Sequence, residues 1–417
     1  MRAGLIFAFS LYASICIAQT YPTIQKAVSR ADVKAAMAHL ETARAETLAL
    51  WKQLALTSAP SGHEDERAAI VMAELKRLGY ADVYRDIAGN VISAPVTKGS
   101  QVIVFIAHLD TVVQPGVKVT VTEGTNEKGH AVWTGPGVGD DTSGVVALLR
   151  VAEALQRTKI TMSNVRWVFS VNEEGGGTSV GIRQFLTDHN AETAAFISTD
   201  GSPIDELGAV ADNGVGGYQL RPIFTGPGVH TIESYGTPST TRAVALAIER
   251  IYRIDLPQMP LEKRSWLNIG TIKAGTVGNA MAKTAEFTVD LRSNDAVTGR
   301  GLQKQVVAIL EQAAKEVGVK VDLRNISQRD PIFLNTPEQK RLIETLWASY
   351  RAIDITPKKG TIGSSDFVLG LMQGVPSAGI GLTNIRRMHS PEEEAEIDPL
   401  FTGMKQVLLA AVALSQH

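Results

Sequence analysis

Glu173 and Glu174 stand side by side where an apolar run, 165–171, gives way to three glycines, 175–177. Two carboxylates at the exit of a buried strand repel one another, and each is costly to remove from water. A bound divalent cation offsets both penalties at once. The pair can also divide the work of hydrolysis: Glu174 ligates a metal, while Glu173 takes a proton from the water that the metal activates. The plainer alternative is two solvated loop acids, and the apolar strand in front of them weakens it.

Four further segments share this design. His108 and Asp110 follow the apolar run 102–107. Two residues apart on an extended backbone, they point the same way. One can ligate a metal while the other fixes a ligand or the metal charge from behind. Asp140 follows the glycine-rich stretch 135–139, whose bare backbone lets a carboxylate approach a ligand closely. Its two oxygens can bridge two cations. Asp200 directly follows another apolar run, and His389 lies in a late loop with Glu392, Glu393 and Glu394 behind it. One of those acids can orient the imidazole.

Taken singly, each has an ordinary explanation: a partly buried histidine with a capping aspartate, a helix N-cap, an Asp–Gly turn, a loop histidine before a charged helix start. Taken together, five segments at strand exits supply two histidines and three or four carboxylates. That donor set suits two Zn²⁺ ions sharing a bridging carboxylate and activating one water. Co²⁺ or Mn²⁺ can occupy the same oxygen and nitrogen donors. The only cysteine is Cys16, so a thiolate cluster and an intrachain disulfide are both excluded.

The elements that must position these residues fall into two patterns. A chain of 417 residues is too long for one ordinary core, so two domains are expected. A net charge of -2 gives no electrostatic footprint for nucleic acid. Residues 1–18 carry Arg2, an apolar stretch and small residues before Gln19, the pattern of a cleaved export signal. A lipoprotein anchor through Cys16 and an uncleaved helix are the alternatives. The mature protein is then expected in the periplasm or secreted, with no membrane attachment after signal cleavage.

Residues 27–57, 65–78, 140–155 and 180–188 have helical periodicity, and 102–107, 165–171 and 194–198 read as buried strands. Alternation of strands and helices predicts an α/β fold, a mostly parallel sheet sandwiched by helices, over 19–214 and 329–417. Between them, 215–328 reads strand–helix–strand–strand–helix–strand. That order predicts an inserted ferredoxin-like α+β domain. Helices over 337–352 and 398–415, and a strand over 374–381, complete the first domain.

The five segments, in this order, closely resemble the co-catalytic di-zinc exopeptidases that include peptidase T, aminoacylase, glutamate carboxypeptidase and carnosinase. The resemblance spans about residues 45–415. It implies that His108 and Asp200 hold one zinc, that Glu174 and His389 hold the other, and that Asp140 bridges them. Asp110 would orient His108, and Glu173 would be the general base. The resemblance also makes the insert a lid and homodimerisation domain. Its His230, in 224–230, would reach a partner subunit's active site and polarise the scissile carbonyl or its oxyanion. Asn279 and Arg292 match positions that grip the substrate, and Ser365, in 364–366, matches a loop beside the metals. Where many relatives have Asp-x-Lys-Gly after the bridging acid, this chain has Asp140, Asp141, Thr142 and Ser143.

The expectation is an exported zinc exopeptidase that hydrolyses short peptides near a free terminus. Asp200, an aspartate at the second-acid position, leans towards aminopeptidase-type relatives. The alternatives are an N-acyl amino acid deacylase or another amidohydrolase of the family, and a non-catalytic exported binding protein. An intact Glu173 argues against the last.

Overall fold

The computed structural model describes residues 23–80, 82–93, 101–175, 179–200, 206–256, 259–260 and 263–415. The stretch 1–18 expected to be an export signal, with Cys16, lies outside the described residues. The chain forms two compact units. One comprises Met1–Asn213 with Phe333–His417, and the other Gly214–Ile332.

In the first unit the helical stretch 27–57 is broken at Ala43 into helices Ala31–Thr42 and Arg44–Leu56. Helix Asp65–Arg77 follows. Strands β1 (Val83–Arg85) and β2 (Val91–Ser93) form an antiparallel pair that hydrophobic periodicity does not reveal, being three residues each. All seven residues of β3 (Val102–His108) are buried. Successive strand residues face opposite sides, so both faces of the sheet are covered there. β4 (Thr122–Thr125) and β5 (Ala131–Thr134) form a hairpin outside the main sheet. Helix Thr142–Arg157 is buried through residue 155. Within it, Arg150 and Glu153 pair one turn apart, the condition for burying such charges. β6 (Val165–Ser170), helix Val180–His189, β7 (Thr193–Ser198) and β8 (Ala209–Gly214) complete this half.

The second unit is β9 (Gly216–Thr225), helix Thr240–Tyr252, β10 (Ser265–Ala274), β11 (Thr284–Ser293), helix Ala296–Val317 and β12 (Lys320–Arg329). Its strands lie in the order β10-β11-β9-β12, all antiparallel. This is the ferredoxin-like arrangement. β9 alternates buried and half-buried positions, as a sheet covered on one face requires. Phe224 and Phe287 stack in a core shared with Ala243, Val306 and Leu310. β9 and β12 stay paired as far as Gly217 with Arg329.

The chain returns through β13 (Ile332–Phe333), helix Pro337–Arg351, β14 (Lys358–Gly363), helix Phe367–Met372, β15 (Ser377–Ile380), β16 (Ile385–Arg386) and β17 (Glu394–Glu396). It closes with helix Ile397–Leu414. That helix is long and apolar enough to cross a membrane by composition, and 78% of it is buried in the protein core. The main sheet runs β1-β2-β6-β3-β7-β15-β8-β13, with β14 on β8. Its four central strands, β6-β3-β7-β15, are parallel, and β2 and β8 flank them antiparallel. The sheet is therefore mixed, with the expected parallel part at its centre. A small antiparallel sheet, β16-β17-β5-β4, joins residues far apart in sequence.

Candidate metal centre

β3, β6 and β7 are adjacent and parallel, so their carboxyl ends deliver His108, Glu173 with Glu174, and Asp200 to one edge of the sheet. The nitrogen and oxygen donors fall into two groups, His108 with Asp140 and Asp200, and Asp140 with Glu174 and His389. Within each group they lie within 4.8 Å of one another. Asp140 belongs to both.

His108 is buried, and its Nε2 lies 2.9 Å from Asp140 Oδ1. Asp140 Oδ2 lies 3.3 Å from His389 Nε2, which is also 3.2 Å from Glu174 Oε1. The two carboxylate oxygens of Asp140 thus face two different imidazoles. A tetrahedron with arms of about 2.0–2.2 Å has edges of about 3.3–3.6 Å, which the two His389 distances approach, while His108 and Asp140 stand at direct hydrogen-bond distance.

Asp110 is fully buried beneath this layer. His108 Nδ1 faces the Asp110 carbonyl oxygen at 3.0 Å, and Asp110 Oδ1 lies 3.5 Å away. The carboxylate mainly holds backbone. Oδ1 accepts from Glu173 N–H at 3.0 Å, and Oδ2 accepts from Glu174 N–H at 2.9 Å and from the Ser61 hydroxyl at 2.6 Å. One residue earlier, Asn172 takes a left-handed φ of 59° and donates its N–H to Glu64. The bend that aims Glu173 and Glu174 is thus held by two buried acids.

The glycine-rich turn is pinned from several sides. Trp51 Nε1 donates to the Val138 carbonyl at 2.7 Å. Glu393 accepts from the N–H groups of Gly139, Asp140 and Gly137. Glu393 therefore organises the Asp140 turn, where the sequence suggested an acid orienting His389. The fold carries its side chain back across the small sheet, in which Glu394 pairs with Thr134. Gly137 has φ 68°, and a Cβ there would meet Thr111 Cγ2 at 2.3 Å, so only glycine fits.

Electrostatics supply the test of fit. Burial pushes Glu173, Glu174 and Asp200 up, and neighbouring carboxylates add to it: Asp366 and Asp200 on Glu173, Asp140 on Glu174 and Asp200. Burial and Asp140 likewise push Glu393 up to about 8. Burial would lower the His108 imidazole, but its bonds to Asp110 and Asp140 hold it well above its usual value. His389 is pushed up to about 11 by its bonds to Asp140 and Glu174. Each imidazole thus has its proton affinity raised by neighbouring acids that all have lone pairs to give. A divalent cation in that place satisfies all of them and relieves the crowding of carboxylates. The residues fit two such ions.

The other anticipated residues are also placed. The Ser365 hydroxyl donates to the Asp200 carbonyl at 2.6 Å and so steadies the backbone of that candidate ligand. His230, Asn279 and Arg292 belong to the inserted unit. His230 is exposed, and its Nδ1 accepts from Ile232 N–H. The Asn279 carbonyl accepts from Thr231 N–H. The Arg292 Nε donates to Asp290.

Glu64, Arg67 and Thr199 escaped the sequence reading. Arg67 is fully buried and donates to the carbonyls of Thr57 and Leu109 and to the Thr142 hydroxyl. Its signal was present, since Arg67, Val71 and Leu75 share the apolar face of their helix. Thr199 donates to Asp141 Oδ2 at 2.9 Å, and burial pushes Asp141 up to about 7. Glu64 lies in a polar loop and carries no periodic signal.

Solved structures share the fold. A tripeptidase from Staphylococcus aureus matches with TM-score 0.69 and 22% identity, over 89% of this chain and 98% of that one. Aminopeptidase PepT from Bacillus cereus matches with TM-score 0.66 and 19% identity, over 89% and 98%. A dinuclear metal binding peptidase of the M20 family from Bacillus subtilis matches with TM-score 0.61 and 13% identity, over 90% and 99%. No curated protein sequence matches. Residues 104–413, which span all five metal-ligand candidates, match the sequence profile of Peptidase family M20/M25/M40, and the chain belongs to that family.

Proposed function

We propose that this peptidase is an exported exopeptidase that uses two Zn²⁺ ions to cleave short peptides near a free terminus. The observation that carries the reading is the pair of donor groups meeting at Asp140. His108, Asp140 and Asp200 would hold one ion, and Asp140, Glu174 and His389 the other. Bound there, the ions supply Lewis acidity to a carbonyl and lower the pKa of water.

Glu173 does the proton transfer. Its backbone is fixed by Asp110, and its carboxyl group has a raised proton affinity from burial and nearby acids. It accepts a proton from the attacking water and returns it to the leaving amine as the C–N bond breaks. Arg292 and Asn279 grip the substrate, and His230 steadies the developing oxyanion from a second subunit joined through the inserted domain. The tripeptidase and aminopeptidase neighbours favour peptides as substrates, and the pattern of residues 1–18 supports export.

A screen of di- and tripeptides and N-acyl amino acids, with zinc and with a chelator, tests the reading. Peptide turnover abolished by the chelator is expected. Turnover of N-acyl amino acids alone would make the protein a deacylase, and zinc binding without turnover a binding protein. Glu173→Gln is expected to retain its ions by elemental analysis and to lose about 100-fold or more in kcat. Undiminished turnover in that variant would remove Glu173 from the chemistry.

A further inference from the structure

We infer that Glu393 is the positioning residue for the bridging carboxylate of Asp140, and that it sets the Asp140 turn and the His389 loop as one piece. The inference rests on the two-ion reading above. Glu393 has no exposed surface. Its Oε1 accepts from Gly139 N–H at 2.7 Å and from Asp140 N–H at 2.9 Å, and its Oε2 accepts from Gly137 N–H at 3.3 Å. Its own carbonyl accepts from Gly135 N–H at 2.9 Å. Four bonds therefore run from one residue to the turn that ends in Asp140.

A glycine-rich turn has many conformations available to it. Three N–H groups converging on one point form a concavity that needs an acceptor with several lone pairs. A carboxyl group supplies them, whether or not it carries a proton. Glu393 is also four residues beyond His389, which adopts a left-handed φ of 64°. The short connection makes the placement of Asp140 and that of His389 mutually dependent. Arg67 is fully buried and donates to the Leu109 carbonyl. It also reaches the turn through Thr142, whose hydroxyl donates to the Gly137 carbonyl at 2.5 Å.

Because Asp140 faces both donor groups, a fault in its placement must weaken both ions together. Glu393→Gln keeps the volume and one acceptor oxygen, but turns an amide N–H₂ towards Gly137 N–H. The test is a titration of metal-free wild type and Glu393→Gln with Co²⁺ against a chromophoric chelator, with thermal unfolding of both metal-free proteins. The expected result is two Co²⁺ bound by each protein, with both affinities about 10-fold weaker in the variant, measured well below a metal-free midpoint that the unpaired Gly137 N–H lowers without loss of cooperative unfolding. If Glu393→Gln does not fold, Glu393→Asp carries the same comparison, since it keeps both oxygens and withdraws them by one methylene. Affinities within twofold of wild type would overturn the proposal, as would a loss confined to one ion. A wild type that binds no Co²⁺ would overturn the two-ion reading and this inference together.

Discussion

Asp110 illustrates how much one buried side chain can organise. Both of its oxygens hold the backbone of Glu173 and Glu174, and its carbonyl faces His108. Asp110→Asn replaces one acceptor oxygen with a donor, so one of those N–H groups is left facing another N–H. The expected outcome is a folded protein with turnover reduced about 10- to 100-fold, measured beside the circular dichroism of the variant. The imidazoles give a second prediction. In the metal-free protein His389 is pushed up to about 11 by Asp140 and Glu174, and the bonds of His108 to Asp110 and Asp140 raise it against the effect of burial. Only neutral imidazole ligates, so an entering ion must expel the His389 proton, and affinity must fall as pH falls. Calorimetry of ion binding at pH 7 in two buffers of different ionisation enthalpy should show net proton release. No dependence on buffer would contradict the assignment of these ligands.

Elements reach the site through their ends and through side chains that cross between them. Helix Arg44–Leu56 contributes no ligand, yet its Trp51 packs on Trp133 and donates to Val138 in the Asp140 turn. Trp51→Phe keeps most of the packing and leaves the Val138 carbonyl without its partner. A loss of about 1–3 kcal/mol in urea unfolding of the metal-free protein is expected, together with weaker ion binding. Normal stability in this variant would show that the turn finds another donor. The strands themselves were legible in sequence because 102–107, 165–171 and 194–198 are continuous apolar runs. The antiparallel strands β1, β2, β16 and β17 were not, since two or three residues cannot display a period of two.

At the scale of the molecule, the candidate ligands are gathered from residues 108 to 389, all in the first unit, while the inserted unit has its own core around Phe224 and Phe287. Ions that bind only the folded protein stabilise it by about 2.7 kcal/mol at a free concentration 100 times Kd. Hydrogen exchange should therefore slow on adding Zn²⁺ in the turns around Asp140, Glu173 and His389, with the strands of the inserted unit unchanged. Equal protection across both units would show that the ions act elsewhere.

Sequence alone determined the kinds of donors and their order, because apolar runs, glycines and acids at strand exits are local signals. It also determined the alternation that makes the parallel centre of the sheet and the strand order of the insert. Tertiary structure decided which acid serves which group. Asp110, Glu64 and Glu393 are all carboxylates near a turn, and nothing in their spacing separates a ligand from a residue that holds backbone. That distinction depends on which N–H groups and imidazoles lie within about 3 Å, and only the folded chain brings Gly139 against Glu393 or Asp140 between His108 and His389.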